Sequence, residues 1–335
     1  MKQKANVHII ATGGTIAGRA ESAAATVGYR AGELTVEQLM ASVPGLDKLA
    51  SLSGEQLCNI DSKDMQEAIW LQLAQRVKAA AARKGVDGIV ITHGTDTLEE
   101  TAYFLQMTVK TDKPIVLTGA MRPATAISAD GPMNIWQSVQ VAADASAKGR
   151  GVLVVMNGQV DTAEKVTKAN VNALQAFQSP GSGPIGHIVD RKIIWQARSL
   201  ACASPENGTD FPVEDLTQLP RVRIIYGYVG GDDALFVKAA LKDGAKGLVY
   251  AACGNGSVPE KLIGTLKEAV ASGVPVVIAT RCGGGIVVLS KEMTEKHGFI
   301  ASGPLNPQKA KILLQLALTK TNSMKEIRDL YRRNS

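Results

Sequence analysis

The strongest constraint on the fold is an apolar run, residues 88–92, that ends in a polar turn and is followed by a helical pattern. The run predicts a buried strand, and a helix is predicted from about Thr97. Open α/β folds keep their ligand sites at the carboxyl edge of the sheet. The hydroxyl of Thr95 and the carboxylate of Asp96 would lie there, beside N–H groups at the positive end of the helix. Thr97 and Glu100 also predict a capping box for that helix.

The same alternation of strand and helix recurs along the chain and favours a parallel sheet with helices on both faces. A chain of 335 residues is longer than one hydrophobic core usually serves. The polar residues 196–219 show no periodicity and predict a linker between domains at 1–195 and 220–335. Further strands are predicted at 7–11, 114–117, 151–156, 222–226, 247–251 and 275–279, and helices at 35–43, 65–84, 234–242, 259–272, 306–319 and 323–332.

Several polar residues have a purely structural interpretation as helix caps. Asp130 precedes Gly131 and Pro132 and is predicted to cap the helix in whose first turn the proline lies. Ser62 or Asp64 would be a good cap for the helix at 65–84. Local sequence therefore favours capping over chemistry for these side chains.

Composition argues against several classes of function. The net charge is +6, but basic residues are spread along the chain and aromatic residues make up 4%, which is unlike a nucleic-acid surface. No apolar stretch approaches the length of a membrane span, and the short polar start of the chain is not a signal peptide. We expect a cytoplasmic protein if Met1 is the native start, and a periplasmic one if a signal peptide was removed.

Neither the cysteines nor the histidines form a metal-binding pattern. The cysteines, at positions 58, 202, 253 and 282, include no Cys-x-x-Cys, so neither a zinc site nor a disulfide framework is predicted. His93 follows the strand at 88–92, and a structural role beside the turn is its favoured interpretation. We expect neither a metal nor a cofactor.

A glycine-rich stretch, residues 12–18, follows the first predicted strand. Its adjacent glycines allow a sharp turn and close approach to a ligand, but the spacing matches neither a dinucleotide fingerprint nor a P-loop. A nicotinamide-dependent oxidoreductase is therefore disfavoured, and the hydroxyl of Thr15 is left at the strand end. Residues 19–34 are predicted to form a lid. Its single aromatic residue, Tyr29, could anchor the loop on the surface or reach Thr15.

These residues are suited to acyl transfer without a metal or cofactor. A threonine hydroxyl is a poor nucleophile unless a neighbour removes its proton. Tyr29 could do so for Thr15. Lys168 could do so for Thr95 if it is neutral, or could relay a proton with Asp96, although a loop lysine is more often simply solvated. N–H groups of the turn at Thr95 would supply an oxyanion hole.

Several stretches resemble signature sequences of the bacterial L-asparaginases. Residues 11–18 and 91–97 resemble the two main motifs of that family. The similarity covers essentially the whole chain and points to the type II, or glutaminase-asparaginase, branch. Lesser matches occur at residues 113–123, 128–132, 166–168 and 305–307.

The resemblance implies a fold, an assembly and a reaction. The fold would comprise a flavodoxin-like N-terminal parallel-sheet domain and a smaller C-terminal α/β domain. The assembly would be a homotetramer of two intimate dimers, with each active site completed by the partner's C-terminal domain. The reaction would be hydrolysis of L-asparagine to L-aspartate and ammonia, with a side activity on L-glutamine.

The resemblance also implies catalytic roles for five residues. Thr15 would be the nucleophile that forms the acyl-enzyme, and Tyr29 its activator on the lid. Thr95, Asp96 and Lys168 would form a second triad. In that triad Thr95 and Lys168 would handle water or proton transfer, and Asp96 would hold the substrate ammonium.

Further positions would bind substrate. Ser62 would bind the substrate carboxylate, Gly94 would line the pocket, and the Ala120 carbonyl would face the leaving amide. Ser257 and Glu292 would approach the ammonium from the partner subunit.

Lys63 departs from the family pattern, which usually has Gln or Glu at this substrate-binding position. A second cation would oppose the substrate ammonium unless it turns outward or pairs with an acid. The sequence therefore predicts that Lys63→Gln lowers the KM for L-asparagine, whereas an unchanged KM would mean that Lys63 points away from the substrate.

Two other functions fit the same residues. One is an amidohydrolase that prefers glutamine or a related small amide. The other is a catalytically idle amino-acid-binding protein, although such a protein has no use for activated hydroxyls.

Overall fold

The computed structural model describes residues 4–24, 28, 30–196, 210–231 and 234–334. Tyr29, the predicted activator, lies outside these residues, as does Cys202. The chain divides into two compact units, Met1–Asp215 and Leu216–Ser335, and each is described by itself.

The described residues of the first unit form an eight-stranded sheet in the order β10-β9-β6-β5-β4-β3-β1-β2. The first five strands along the chain pair in parallel, whereas β6, β9 and β10 pair antiparallel. Strands β7 and β8 form a separate two-stranded antiparallel hairpin. The strands are β1 Asn6–Gly13, β2 Ser51–Ile60, β3 Gly88–Thr92, β4 Ile115–Thr118, β5 Val152–Met156, β6 Gln159–Thr162, β7 Thr167–Lys168, β8 Phe177–Gln178, β9 Gly186–Val189 and β10 Lys192–Trp195.

Helices bury both faces of the parallel part of this sheet. Ile9 and Val90 belong to a core cluster with Ile135 of the fifth helix, and the alternate residues Ile10 and Ile91 are equally buried. Burial on both faces explains why the strand sequences are apolar throughout. The helices are α1 Val36–Ala41, α2 Leu46–Leu49, α3 Glu67–Ala82, α4 Leu98–Thr108 and α5 Gly131–Ala143.

The second unit contains a four-stranded parallel sheet in sequential order, with helices packed against it. Its strands are β11 Val222–Tyr226, β12 Gly247–Ala252, β13 Val276–Thr280 and β14 Ile300–Ala301. Its helices are α6 Leu235–Lys242, α7 Glu260–Ala271, α8 Pro307–Lys320 and α9 Met324–Asn334. The predicted α/β class is confirmed, and so is each strand and helix predicted at this end of the chain.

The sequence analysis did not predict β2 or the antiparallel strands. β2 has one half-exposed face and mixed polar residues, so its apolar signal is weak. Residues 210–215 of the predicted linker include a short 3-10 helix, Val213–Asp215, and bury Phe211. Residues 197–209 of that linker lie outside the described residues.

Candidate active site

Thr15 lies where β1 ends, in a short 3-10 helix, Thr15–Ala17. In the turn before it, Gly13 and Gly14 have positive φ angles of 102° and 81°, a backbone conformation that favours glycine. The Gly14 N–H donates to the Ile60 carbonyl at 2.8 Å, which ties the turn to the end of β2. The side chain of Thr15 is thus buried at the carboxyl edge of the sheet, as its position in the sequence predicts.

The turn after β3 packs directly against the Thr15 turn. A β-carbon on Gly14 would lie 2.3 Å from the α-carbon of Gly94, so the two backbones are in contact. A β-carbon on Gly94 would lie 2.6 Å from Ser62 Oγ. Only glycine at these two positions lets the ends of β1, β2 and β3 converge.

Lys168 reaches Thr95 and Asp96 from the β7–β8 hairpin. Its Nζ lies 2.9 Å from Thr95 Oγ1 and 2.5 Å from Asp96 Oδ1. The Lys168 side chain is 17% exposed and that of Asp96 58%, so the carboxylate stands at the open side of the cluster. The structure therefore brings Lys168 to the adjacent residues Thr95 and Asp96, which precede it by 73 and 72 positions in the chain.

Glu99 was not predicted from the sequence as a site residue. Its side chain is 4% exposed, and its Oε2 accepts a hydrogen bond from the backbone N–H of Lys168 at 2.6 Å. The available signal was its short separation from Asp96, three positions across the turn that precedes α4. Glu99 thus contacts the backbone of Lys168, and Asp96 contacts its side-chain nitrogen.

Ser62 faces the Thr95–Asp96 turn and does not cap a helix. Its Oγ accepts from the Asp96 N–H at 3.1 Å, and its carbonyl accepts from the Thr97 hydroxyl at 2.8 Å. The predicted capping box of Thr97 is therefore wrong, because that hydroxyl is turned toward Ser62 and makes no cap hydrogen bond. The expectation that Ser62 or Asp64 caps α3 is also wrong, since Gln66 occupies the cap position.

Lys63 forms an ion pair with Asp61, the residue that precedes Ser62. Its Nζ lies 2.8 Å from Asp61 Oδ2, and its side chain is 67% exposed. The hydrogen bond and charge of Asp61 raise the pKa of Lys63 above its usual value, with smaller contributions from Asp64 and Asp96. The lysine thus remains a cation whose charge is balanced locally. This is one of the two conditions under which it would not oppose a substrate ammonium.

The turn that carries Ala120 is held from beneath by buried side chains. Asn134 Nδ2 donates to the Gly119 carbonyl at 3.0 Å, and the Gly119 N–H donates to Met156 Sδ at 3.2 Å. Ala120 itself is fully buried. Sequence reasoning missed Asn134 and Met156, because neither residue type signals a site when read alone.

Asp130 supports the same turn. Its carboxylate accepts from the N–H groups of Met121 and Arg122, both at 2.9 Å, and it makes no cap hydrogen bond to α5. The prediction that Asp130 caps this helix by its side chain is therefore wrong. Pro132 does lie in the first turn, as expected.

His93 is fully buried and belongs to a chain of hydrogen bonds beneath the turn. Trp70 Nε1 donates to Thr101 Oγ1 at 2.8 Å, and Thr101 Oγ1 lies 3.0 Å from His93 Nε2. Because the Gly94 carbonyl can only accept, Nδ1 of the neutral ring carries the proton and donates to it at 2.7 Å, and Nε2 accepts from the Thr101 hydroxyl. Burial lowers the pKa of His93 to about 4, so the ring is neutral near pH 7. This arrangement agrees with a structural role.

Two of the predicted substrate-binding residues lie in the second unit. Ser257 is exposed in the turn after β12, and its N–H donates to the Cys253 carbonyl at 2.8 Å. Glu292 begins a five-residue π-helical turn and pairs with Lys296 at 2.9 Å. Both side chains reach solvent in the described chain.

The described residues contain no group of three His, Cys, Asp or Glu side chains arranged to hold a metal ion. Among the helices of these same residues, none combines the length and apolar character needed to cross a membrane. The side chains that meet at the cluster are the Thr95 hydroxyl, the Asp96 carboxylate and the Lys168 amine.

Comparison with known proteins places the chain in a family. Residues 6–201 match the family model described as "Asparaginase, N-terminal", and residues 221–331 match "Glutaminase/Asparaginase C-terminal domain". The chain is 48% identical to L-asparaginase 2 of Bacillus subtilis (strain 168), over 97% of this chain and 86% of that protein. It is 44% identical to the glutaminase-asparaginase of Pseudomonas fluorescens biotype A, over 98% of this chain and 90% of that protein.

A solved structure shares the fold. The crystal structure of a probable cytoplasmic L-asparaginase from Campylobacter jejuni superposes with a TM-score of 0.93 at 43% identity, covering 98% of this chain and 99% of that one. Together with the two family models, which span nearly the whole sequence, this similarity confirms the resemblance drawn from the motifs: the chain belongs to the asparaginase family.

Proposed function

We propose that this protein hydrolyses L-asparagine to L-aspartate and ammonia. The observation that carries the proposal is the contact of Lys168 with both Thr95 and Asp96, at 2.9 Å and 2.5 Å, beside the turn that bears Thr15. The names of the relatives, L-asparaginase 2 and glutaminase-asparaginase, support the same reaction.

In the proposed mechanism Thr15 Oγ attacks the carbon of the side-chain amide. A C–O bond forms, the C–N bond breaks, and the nitrogen leaves as ammonia once it has gained a proton. Water then cleaves the resulting ester and restores the Thr15 hydroxyl. Tyr29 is the proposed activator of Thr15, and the N–H of Thr95 is the proposed oxyanion donor.

The sequence leaves two roles open for Lys168, a neutral base or a proton relay. Its Nζ lies within hydrogen-bond distance of both Thr95 Oγ1 and Asp96 Oδ1, so a proton can pass between the two side chains through the lysine. This geometry favours the relay. Lys168 would deliver a proton toward the leaving nitrogen and recover it from water through Thr95.

Substrate binding is proposed to use groups around this cluster. The exposed carboxylate of Asp96 suits the substrate ammonium, and Ser62 and Gly94 would meet the carboxylate of the substrate. The Ala120 carbonyl would accept from the amide nitrogen. L-glutamine would be a second, weaker substrate with the same head group.

We further propose a homotetramer in which the partner's Ser257 and Glu292 complete each site, with domains at 1–195 and 220–335. Large apolar side chains on the surface of the second unit support an assembly, because soluble monomers rarely expose several together. They include Tyr226, Tyr228, Val229, Leu235, Phe236, Ile286 and Val288. Light scattering after gel filtration should give four times the chain mass of 35.2 kDa.

Ammonia release from L-asparagine and L-glutamine, side by side at micromolar and millimolar substrate, tests the function. Asparagine turnover at micromolar substrate is the expected result. A preference for glutamine would support the glutaminase alternative. No ammonia from either amide, together with binding of L-aspartate, would support the idle binding protein. Cell fractionation separately distinguishes the cytoplasm from the periplasm.

A further inference from the structure

Asp61 and Lys63 form an ion pair and flank Ser62, which faces the candidate active site. Asp61 Oδ2 accepts from Lys63 Nζ at 2.8 Å, and Asp61 Oδ1 lies 3.5 Å from the Lys63 N–H. Between them, Ser62 is buried and turned the other way, with its Oγ on the N–H of Asp96. The pair therefore lies one residue from a direct contact with the Asp96 turn.

The charges around this point matter because Asp96 is the exposed carboxylate of the cluster. An ammonium group that enters from solvent is attracted to that carboxylate, and a second cation nearby would repel it. The electrostatic influence of Asp96 reaches Lys63, since it contributes to the raised pKa of the lysine. Lys63 without a partner would thus weaken the attraction that the site offers to a cationic head group.

We propose that Asp61 is a specificity-determining residue, which holds the Lys63 ammonium and neutralises it so that the site accepts a substrate carrying its own ammonium. This inference rests on the proposed function. It adds that recognition of the amino acid head group depends on the net charge of the Asp61–Lys63 pair and not only on the groups that contact the substrate.

The inference makes opposite predictions for the two members of the pair. Asp61→Asn leaves Lys63 as an uncompensated cation and should raise the KM for L-asparagine by about three- to tenfold, as expected for one partly solvated charge. Lys63→Gln leaves the Asp61 carboxylate without its cation and should lower the KM. In Asp61→Asn kcat should change by less than about twofold, because the Asp61 carboxylate does not touch the reacting amide.

The decisive measurement is the double variant Asp61→Asn/Lys63→Gln. If charge is the cause, the second substitution removes the uncompensated cation and returns the KM to within about twofold of the unmodified enzyme. Raising NaCl from about 0.05 to 0.5 M should also shrink the effect of Asp61→Asn, because the screening length falls from over 10 Å to about 4 Å. A purely structural effect on the turn would respond to neither change.

A matched control is the Lys78–Glu214 pair, which is also exposed and joins α3 to the helix at Val213–Asp215. Glu214→Gln adds the same net charge to the protein. Lys78 lies eleven residues after Glu67, the first residue of α3, which corresponds to about 16 Å along the helix axis. This variant should leave the KM within twofold.

Asp61 also begins a short 3-10 helix, so loss of folding must be separated from loss of charge. Asp61→Ser keeps a side-chain oxygen for the turn and removes the charge, and it should raise the KM as Asp61→Asn does. An unchanged KM in both single Asp61 variants, or a raised KM that persists in the double variant, would overturn the inference.

Failure of the proposed function gives a different result. The unmodified protein would then release no ammonia from either amide. In that event calorimetric titration with L-aspartate, which has the same ammonium, takes the place of KM across the same variants. No binding by the unmodified protein would overturn both proposals together.

Discussion

The backbone N–H of Lys168 donates to the buried carboxylate of Glu99 at 2.6 Å, while the ammonium of the same lysine lies 2.5 Å from Asp96. Asp96 lies in the turn before α4, and Glu99 lies in the first turn of that helix. Lys168 is therefore positioned by its backbone as well as by its charge.

Loss of the Glu99 carboxylate should impair both folding and turnover. We expect Glu99→Leu to lower the free energy of unfolding by about 1–3 kcal/mol, because it leaves the Lys168 N–H without this acceptor. We also expect kcat to fall at least tenfold, as the lysine loses its alignment with Thr95. Glu99→Gln retains an oxygen acceptor and should be milder in both respects.

Denaturant unfolding and steady-state ammonia release measure the two effects of Glu99. Glu268→Gln, at an exposed position on α7, serves as the control for loss of one carboxylate. A normal kcat in Glu99→Leu at a temperature where that variant is folded would contradict a positioning role.

Gly94→Ala should damage the site through a steric clash. The new β-carbon would lie 2.6 Å from Ser62 Oγ, closer than any real contact, so the turn after β3 must shift. We expect a loss of about 1–3 kcal/mol in the free energy of unfolding and at least a hundredfold loss in kcat/KM. Gly85→Ala, where the new β-carbon meets no atom within 4 Å, should have neither effect. Equal results for the two variants would argue against the clash.

Thr15→Ala should abolish turnover and preserve binding of the product. The variant removes the proposed nucleophile, whereas the ammonium and carboxylate sites at Asp96 and Ser62 remain. We expect ammonia release to fall by at least about a thousandfold, and calorimetry to give L-aspartate affinity within threefold of the unmodified protein. Turnover that survives in this variant would show that another group attacks the amide.

His93 should make the protein less stable at acidic pH. Its pKa is about 4 in the folded protein, below the ordinary value of 6.5, so the unfolded chain binds the extra proton first. Its contribution is fully present above pH 6.5, falls as pH is lowered toward 4, and amounts to about 3 kcal/mol in total. The free energy of unfolding, measured from pH 7 to 4, should decline less steeply in His93→Gln. Equal slopes would mean that His93 does not titrate in this window.

The sequence was most informative where the strands are buried on both faces. Apolar runs such as residues 88–92 and 247–251 predict β3 and β12 almost to the residue. β2 carries polar residues on an exposed face, and the antiparallel strands β6, β9 and β10 have only four residues each, so their periodicity does not stand out from that of a loop.

The site was predictable only in part, for a similar reason. Threonine, aspartate and glycine at strand ends carry a local signal, which motif resemblance strengthens. The hydrogen bonds of Glu99 and Asn134 depend on chain segments that meet only after folding. Thr97 and Asp130 occupy the predicted cap positions but make no cap hydrogen bond for the same reason, because each side chain finds a partner outside its own helix.

The contact between Gly14 and Gly94 has a consequence for protein engineering. Since the two backbones touch, neither turn can be lengthened or given a side chain unless the other yields. Mutant libraries that introduce side chains at position 14 or at position 94 alone would therefore recover mostly misfolded variants. A library that alters both segments together is the one that could yield a new substrate preference.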